Sequence, residues 1–278
     1  ITDGGTAHSL SLGAATGLTL ADVTILGDLH TTTQAGGVSQ SAGTRLDIGG
    51  ASRFTAALTP QQDALLDSRT NRLVGTVTYD EVTPGSWRDV SVTTTTALTL
   101  APLQSGGAVS LLTQGAALTT STITTTGDLS VTTGGGALSM GAATVSGDLV
   151  LNTKTGVLDA QGHDVGGGAV TQTGQMVVTG GTSVAAGAGT ITMLNPLNNF
   201  GGTLALQGTS TSVATSGNLQ LATVSNTGPM VLRAPSGSID LGTAFITGGD
   251  LTLVSQGNMN LGGANITGSL NMTSTQGT

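Results

Sequence analysis

The strongest constraint in this sequence is a turn triplet that returns at a fixed interval. Gly127-Asp128-Leu129 recurs twenty residues later as Gly147-Asp148-Leu149, and related triplets stand at Gly27-Asp28-Leu29 and Gly249-Asp250-Leu251. Between the first two lie short apolar pulses: Leu129 and Val131, Leu138 and Met140, then Val145. The next turn repeats them as Leu149 and Leu151, Leu158, and Val165. Apolar and polar residues alternate within a pulse, which is the period of a strand with one buried face. Gly, Thr, Ser and Asp separate the pulses and are turn formers. Three short strands and three turns in about twenty residues describe one coil of a β-solenoid. A coil cannot bury its apolar face alone, so it must stack on neighbours. The expected fold is therefore all-β, a right-handed parallel β-helix by the handedness of parallel crossovers, with coils of about 20 residues. Leu129, Leu138, Val145, Leu149, Leu158 and Val165 are expected to face its lumen.

Composition supports a narrow lumen over a wide core. The 278 residues include one Trp, one Tyr and three Phe, with 45 Gly, 37 % apolar and 8 % charged residues. A disordered chain would be poorer in Val, Leu and Ile and more charged. The net charge of −8 argues against nucleic acid or an anionic lipid surface as partner. Absence of Cys excludes a disulfide framework and thiol catalysis. No apolar run approaches the roughly 18 residues of a membrane-spanning helix, so membrane insertion is not expected. The chain begins and stops inside a repeat, which reads as one segment of a longer protein.

A longer repeat overlies the short one and divides the chain into two copies, about 1–126 and 127–278, within a single solenoid. Val38–Phe54 resembles Val170–Val184, and Asn71-Arg72-Leu73-Val74-Gly75-Thr76-Val77 answers Asn199-Phe200-Gly201-Gly202-Thr203-Leu204. Between about 55 and 90 the texture changes. Five of the six Arg lie within 45–90, together with the only Trp, Tyr and Glu. Thr59-Pro60-Gln61-Gln62-Asp63-Ala64-Leu65-Leu66 has the N-cap, first-turn proline and early acid of a short helix. This stretch is read as a partly helical insertion.

The strings NNFGGTLALQGTSTSV (198–213), SGNLQLATV (216–224) and GDLTLVSQGNMNLGGANITGSL (249–270) resemble the strand repeats of filamentous-haemagglutinin-like exoproteins. The resemblance covers nearly all of the chain except about 55–90. It implies a structural repeat segment, a stalk or filament, of a large bacterial adhesin or biofilm-matrix fibre. Such a segment is secreted, by a two-partner route in many of these proteins, and is extracellular or held at the bacterial cell surface. Its partners would be other coils of the same long chain or copies of itself end to end, and host or matrix glycans.

Several residues invite a chemical role. Stacked Gly-Asp-Leu carboxylates could ligate Ca²⁺, but each Asp capping its own turn is the simpler reading, and no metal or other cofactor is expected. Threonine runs at 93–96, 119–120, 124–126 and 132–133 suggest the alternative of a carbohydrate- or ice-binding solenoid with a flat Thr-rich face. The one dense polar cluster is Asp80-Glu81 with Arg88-Asp89, beside Tyr79 and Trp87. It is the candidate interaction patch, since Trp and Arg are the residues that anchor interfaces. Its carboxylates could also be read as catalytic, but no enzymatic activity is expected. His8, His30 and His163 are scattered. The sequons at Asn265 and Asn271 are of the kind that arises by chance in a Thr-rich chain.

Overall fold

The computed structural model describes residues 8–57, 61–160, 162 and 164–277. They form a β-solenoid of roughly 20-residue coils, all-β, with parallel pairing throughout its sheets. The chain divides into two compact units, Ile1–Gly136 and Ala137–Thr278.

In the first unit one sheet stacks Leu10–Ala14, Leu29–Thr33, Ser52–Ala56, Thr76–Glu81, Leu98–Leu100 and Leu118–Thr120. A second stacks Leu18–Leu20, Val38–Gln40, Gln62–Leu66, Trp87–Thr94, Val109–Thr113 and Leu129–Thr132. A shorter third side is made by Val23–Ile25, Leu46–Ile48 and Arg72–Leu73. Register keeps inward residues in files, as in Leu10↔Leu29↔Ser52 and Val109↔Leu129. Strands of three to five residues suffice because both edges of each are hydrogen-bonded and one face is dry.

In the second unit the first side stacks Leu138–Met140, Val170–Gln172, Ile191–Met193, Thr211–Ala214, Met230–Ala234, Leu251–Ser255 and Leu270–Ser274. The second begins with Leu149–Asn152, Thr182–Ala185, Leu204–Gly208 and Leu219–Asn226. Ala143–Val145, Met176–Val178 and Asn199–Phe200 form the third.

Two sequence expectations are corrected. The helix at 59–66 is not there over its described part: Gln62–Leu66 is a strand. Gln62, Ala64 and Leu66 face inward, and the strand pairs with Val38–Gln40 on one side and Trp87–Thr94 on the other. Five residues are too few to sustain a helix against two strand partners. Thr59 and Pro60 lie outside the described residues. The 55–90 stretch is thus woven into the coils.

The second correction concerns Leu158 and Val165. Leu129, Leu138, Val145 and Leu149 are buried, but Leu158 and Val165 are 58 % and 54 % exposed. Leu138 pairs with Val170 and Leu149 with Thr182, so this coil is longer than its neighbours. The excess is a loop, 154–168, that leaves the coil after Leu149–Asn152 and returns before Val170–Gln172.

Candidate functional site

The expected patch at 79–88 is half core. Trp87 is fully buried and Tyr79 is 4 % exposed. Tyr79 stacks on Phe54 at 5.3 Å between ring centroids, and Trp87 meets Tyr79 edge-on at 5.6 Å. These three side chains pack together inside the first unit. Burial, with the charge of Asp67 as the lesser cause, raises the Tyr79 pKa above the ordinary phenol value. The charged members stay outside and are all engaged. Asp80 pairs with Arg53, and Arg88 clasps Asp63 through two guanidinium nitrogens. Glu81 accepts the N–H groups of Gly85 (2.8 Å) and Trp87 (3.0 Å), closing the turn between its strands. The indole N–H of Trp87 donates to the Asp80 carbonyl (3.0 Å). The two ion pairs fasten one coil to the next, and the Glu81 and indole bonds close the turn within a coil. Trp87 is closed off, while Tyr79, Asp80 and Glu81 line a shallow depression of about 360 Å³.

The Gly-Asp-Leu corners work between coils. Asp28 Oδ1 accepts the N–H of Ala51 (2.8 Å), Asp148 Oδ1 that of Gly181 (2.7 Å) and Asp250 Oδ1 that of Ser269 (2.7 Å), and Asp89, in an Arg-Asp-Val corner, accepts that of Ala108 (2.8 Å) in the same way. The carboxylate thus serves the following coil rather than its own turn. It also explains a glycine. A Cβ on Gly50, Gly107, Gly180 or Gly268 would collide with the carboxylate of the coil before it. The triplets do not share one corner, since in each unit they head strands of different sheets. Among the described residues no group of three or more His, Cys, Asp or Glu stands where it could hold a metal ion. His163 lies outside the described residues.

The threonine runs are split between inside and outside. Thr94, Thr125 and Thr133 are buried, and their hydroxyls donate to the carbonyls of Asn71, Gly107 and Gly136. These threonines are corner fastenings, while outward threonines stand in register on the first sheet, Thr76 beside Thr99 and Thr119 in the first unit and Thr171 beside Thr192 in the second.

The site that sequence reading missed is on the second unit. The loop 154–168 folds back on the coil flank, closed by an antiparallel bridge between Leu158 and Asp164. Asp164 is 5 % exposed. It accepts hydrogen bonds from the Thr155 hydroxyl (2.8 Å) and from the N–H groups of Gly156 (2.6 Å), Gly166 (3.1 Å) and Thr155 (3.3 Å). Burial pushes its carboxyl up, but these donors outweigh it and the net shift is downward. Lys154 Nζ braces the loop from the other end by donating to Gln207 Oε1 (3.1 Å). Between loop and flank lies a depression of about 310 Å³. The clues were present: the only Lys, then Lys154-Thr155-Gly156 and Gly166-Gly167-Gly168 close together.

One family model matches the chain at residues 7–80, 106–169 and 164–207, more than half of its length; the model is described as repeats of unknown function (DUF5649). No curated protein and no solved structure matches the chain.

Proposed function

From the premise that this chain belongs to the DUF5649 repeats, we propose that it works as a stalk or filament segment of a large secreted bacterial surface adhesin or extracellular-matrix fibre. Its task in this reading is mechanical, with no turnover of a substrate. The extracellular setting is carried by the likeness of its strand repeats to filamentous-haemagglutinin-like exoproteins.

The observation that supports a stacking role is at Leu270–Ser274. Leu270 and Met272 are both 41 % exposed, while their register partners Leu251 and Leu253 are fully buried. The outer edge of this strand is unpaired in the described structure. An open edge backed by exposed lumen residues is a template for another strand. In the proposed reading a second copy of the chain supplies the next strand.

Sedimentation over a concentration series tests this. The chain should self-associate, and the double variant Leu270→Lys, Met272→Lys should shift it toward monomer without changing its strand content. A chain that stays monomeric at high concentration would sink the stacking role. Protease treatment of intact cells addresses the setting: the segment should be removed from the surface, and its recovery only from the cytosol would overturn the extracellular reading.

A further inference from the structure

The second unit carries a groove that a plain stalk does not need. Three adjoining depressions of about 240, 300 and 310 Å³ run across the outer face of its second sheet. The first two share Ser183 and Ala205, and the second and third share Gln207 and Ser225. They therefore form one trough crossing Leu149–Asn152, Thr182–Ala185, Leu204–Gly208 and Leu219–Asn226.

The trough exists because outward positions that register brings side by side are short. Ser183 stands beside Ala205, and Ala185 beside Gln207 and, next along, Ser225. One wall is the braced loop 154–168, which contributes Asp159, Asp164 and Val165. The far side is shaped by a β-bulge. Leu204 pairs with Leu221 but Leu206 pairs with Val224, so the strand 219–226 holds an extra residue there. Thr223 lies within that step and lines the trough. Bulges re-aim side chains out of a ladder, and they are enriched beside binding sites.

We propose that this trough binds a linear, uncharged oligosaccharide lying across the strands. The backbone groups beneath it are spent within the sheet, so an extended peptide has no strand edge to join. Recognition must pass through side chains. The hydroxyls of Ser183, Thr223 and Ser225 have no hydrogen-bond partner among the described residues, and the Gln207 amide nitrogen is equally open. Closely spaced hydroxyl and amide groups suit the donor–acceptor rows of a sugar chain, while Val150 and Val165 give its C–H faces apolar contact. The carboxylates of Asp148, Asp159 and Asp164 against the single cation Lys154 disfavour an anionic polysaccharide. This inference stands apart from the stacking role: loss of sugar binding would leave self-association untouched, and the reverse also holds.

Calorimetric titration of the full chain with cellohexaose, laminarihexaose and mannohexaose, and with an oligogalacturonate as the anionic comparator, tests it. At least one neutral hexasaccharide should bind saturably and more tightly than the oligogalacturonate. Ser183→Trp or Thr223→Trp should fill the trough and weaken that binding by about tenfold or more, equivalent to about 1.4 kcal/mol. Thr192→Trp, on another sheet, should bind as the parent does. Melting temperature identifies any variant that fails to fold, and both trough variants change exposed positions. No saturable binding by any neutral sugar, preference for the anionic one, or undiminished binding by both folded trough variants would overturn the proposal.

Discussion

Gln40 and Asn71 face each other as an amide pair, each donating to the other: Gln40 Nε2 to Asn71 Oδ1 at 2.8 Å and Asn71 Nδ2 to Gln40 Oε1 at 2.9 Å. Asn71 is fully buried and also accepts the N–H of Leu46 (2.9 Å). The second unit repeats the device with Gln172 and Asn198, where Asn198 accepts the N–H of Met176 (2.9 Å). Asn71 therefore answers Asn198, one residue earlier than the Asn199 match read from the sequence.

Asn71→Leu should destabilise the first unit by about 3 kcal/mol, because it strands a backbone N–H and the Gln40 amide in the interior. The double variant Gln40→Leu, Asn71→Leu should recover part of that loss, since one of the two stranded groups is gone. Denaturant unfolding of Gln40→Leu, Asn71→Leu and the double variant measures this. A double variant as unstable as the sum of the single ones would mean the pair is uncoupled.

Leu138→Asp and Leu158→Asp should differ sharply although twenty residues separate both positions in the apparent repeat. Leu138 is 1 % exposed, and a carboxylate there should cost about 4 kcal/mol. Leu158 is on the loop surface, and the same change should stay within about 0.5 kcal/mol. Comparable losses from the two would be evidence against the exposed loop.

Tyr79 is the only tyrosine, so its phenolate band is unambiguous. Its folded pKa is raised above the ordinary 10.0, and its hydroxyl is buried without a partner. The neutral form is favoured by folding, so that contribution is intact below pH 10 and lost as pH rises through the folded value. The band should therefore appear only together with loss of the β circular-dichroism signal. A phenolate that forms near pH 10 with strands intact would place Tyr79 at the surface.

Asp164 shifts the opposite way, below its ordinary 3.8. Its ionised form is the one folding favours, so its contribution is present above that pH and fades as pH falls through the folded value. Limited proteolysis should find 154–168 resistant near neutrality and cleaved in strong acid, before the sheets unfold. Asp164→Asn should give similar cleavage at neutral pH. Equal resistance of variant and parent would show that the carboxylate does not hold the loop.

The architecture was legible because inward files need alternation, and alternation survives in strands as short as Leu138–Met140. The loop was hidden by coincidence. Leu158 and Val165 stand twenty residues after Leu138 and Val145, so spacing alone could not tell surface from lumen. Trp87 and Tyr79 drew notice through their charged neighbours, and the alternation Val77, Tyr79 and Val90, Val92 already placed their strands' inward files. The trough was not readable at all. It depends on which short residues register sets side by side, and register lies in the stacking of distant segments.

The carboxylates that bridge neighbouring coils have a direction built into them. Asp28, Asp89, Asp148 and Asp250 each receive an amide from residues later in the chain. During synthesis, then, the acceptor leaves the ribosome before its donor does. Each finished turn presents a ready anchor to the one still being made, and the glycine that must fit beside it arrives just before the donor. Growth from the amino end is guided at every step, whereas a stack started from the carboxyl end would carry donors waiting for anchors not yet translated. A chain of this kind is suited to fold in the order in which it is threaded out, turn upon turn, with only its newest edge unprotected.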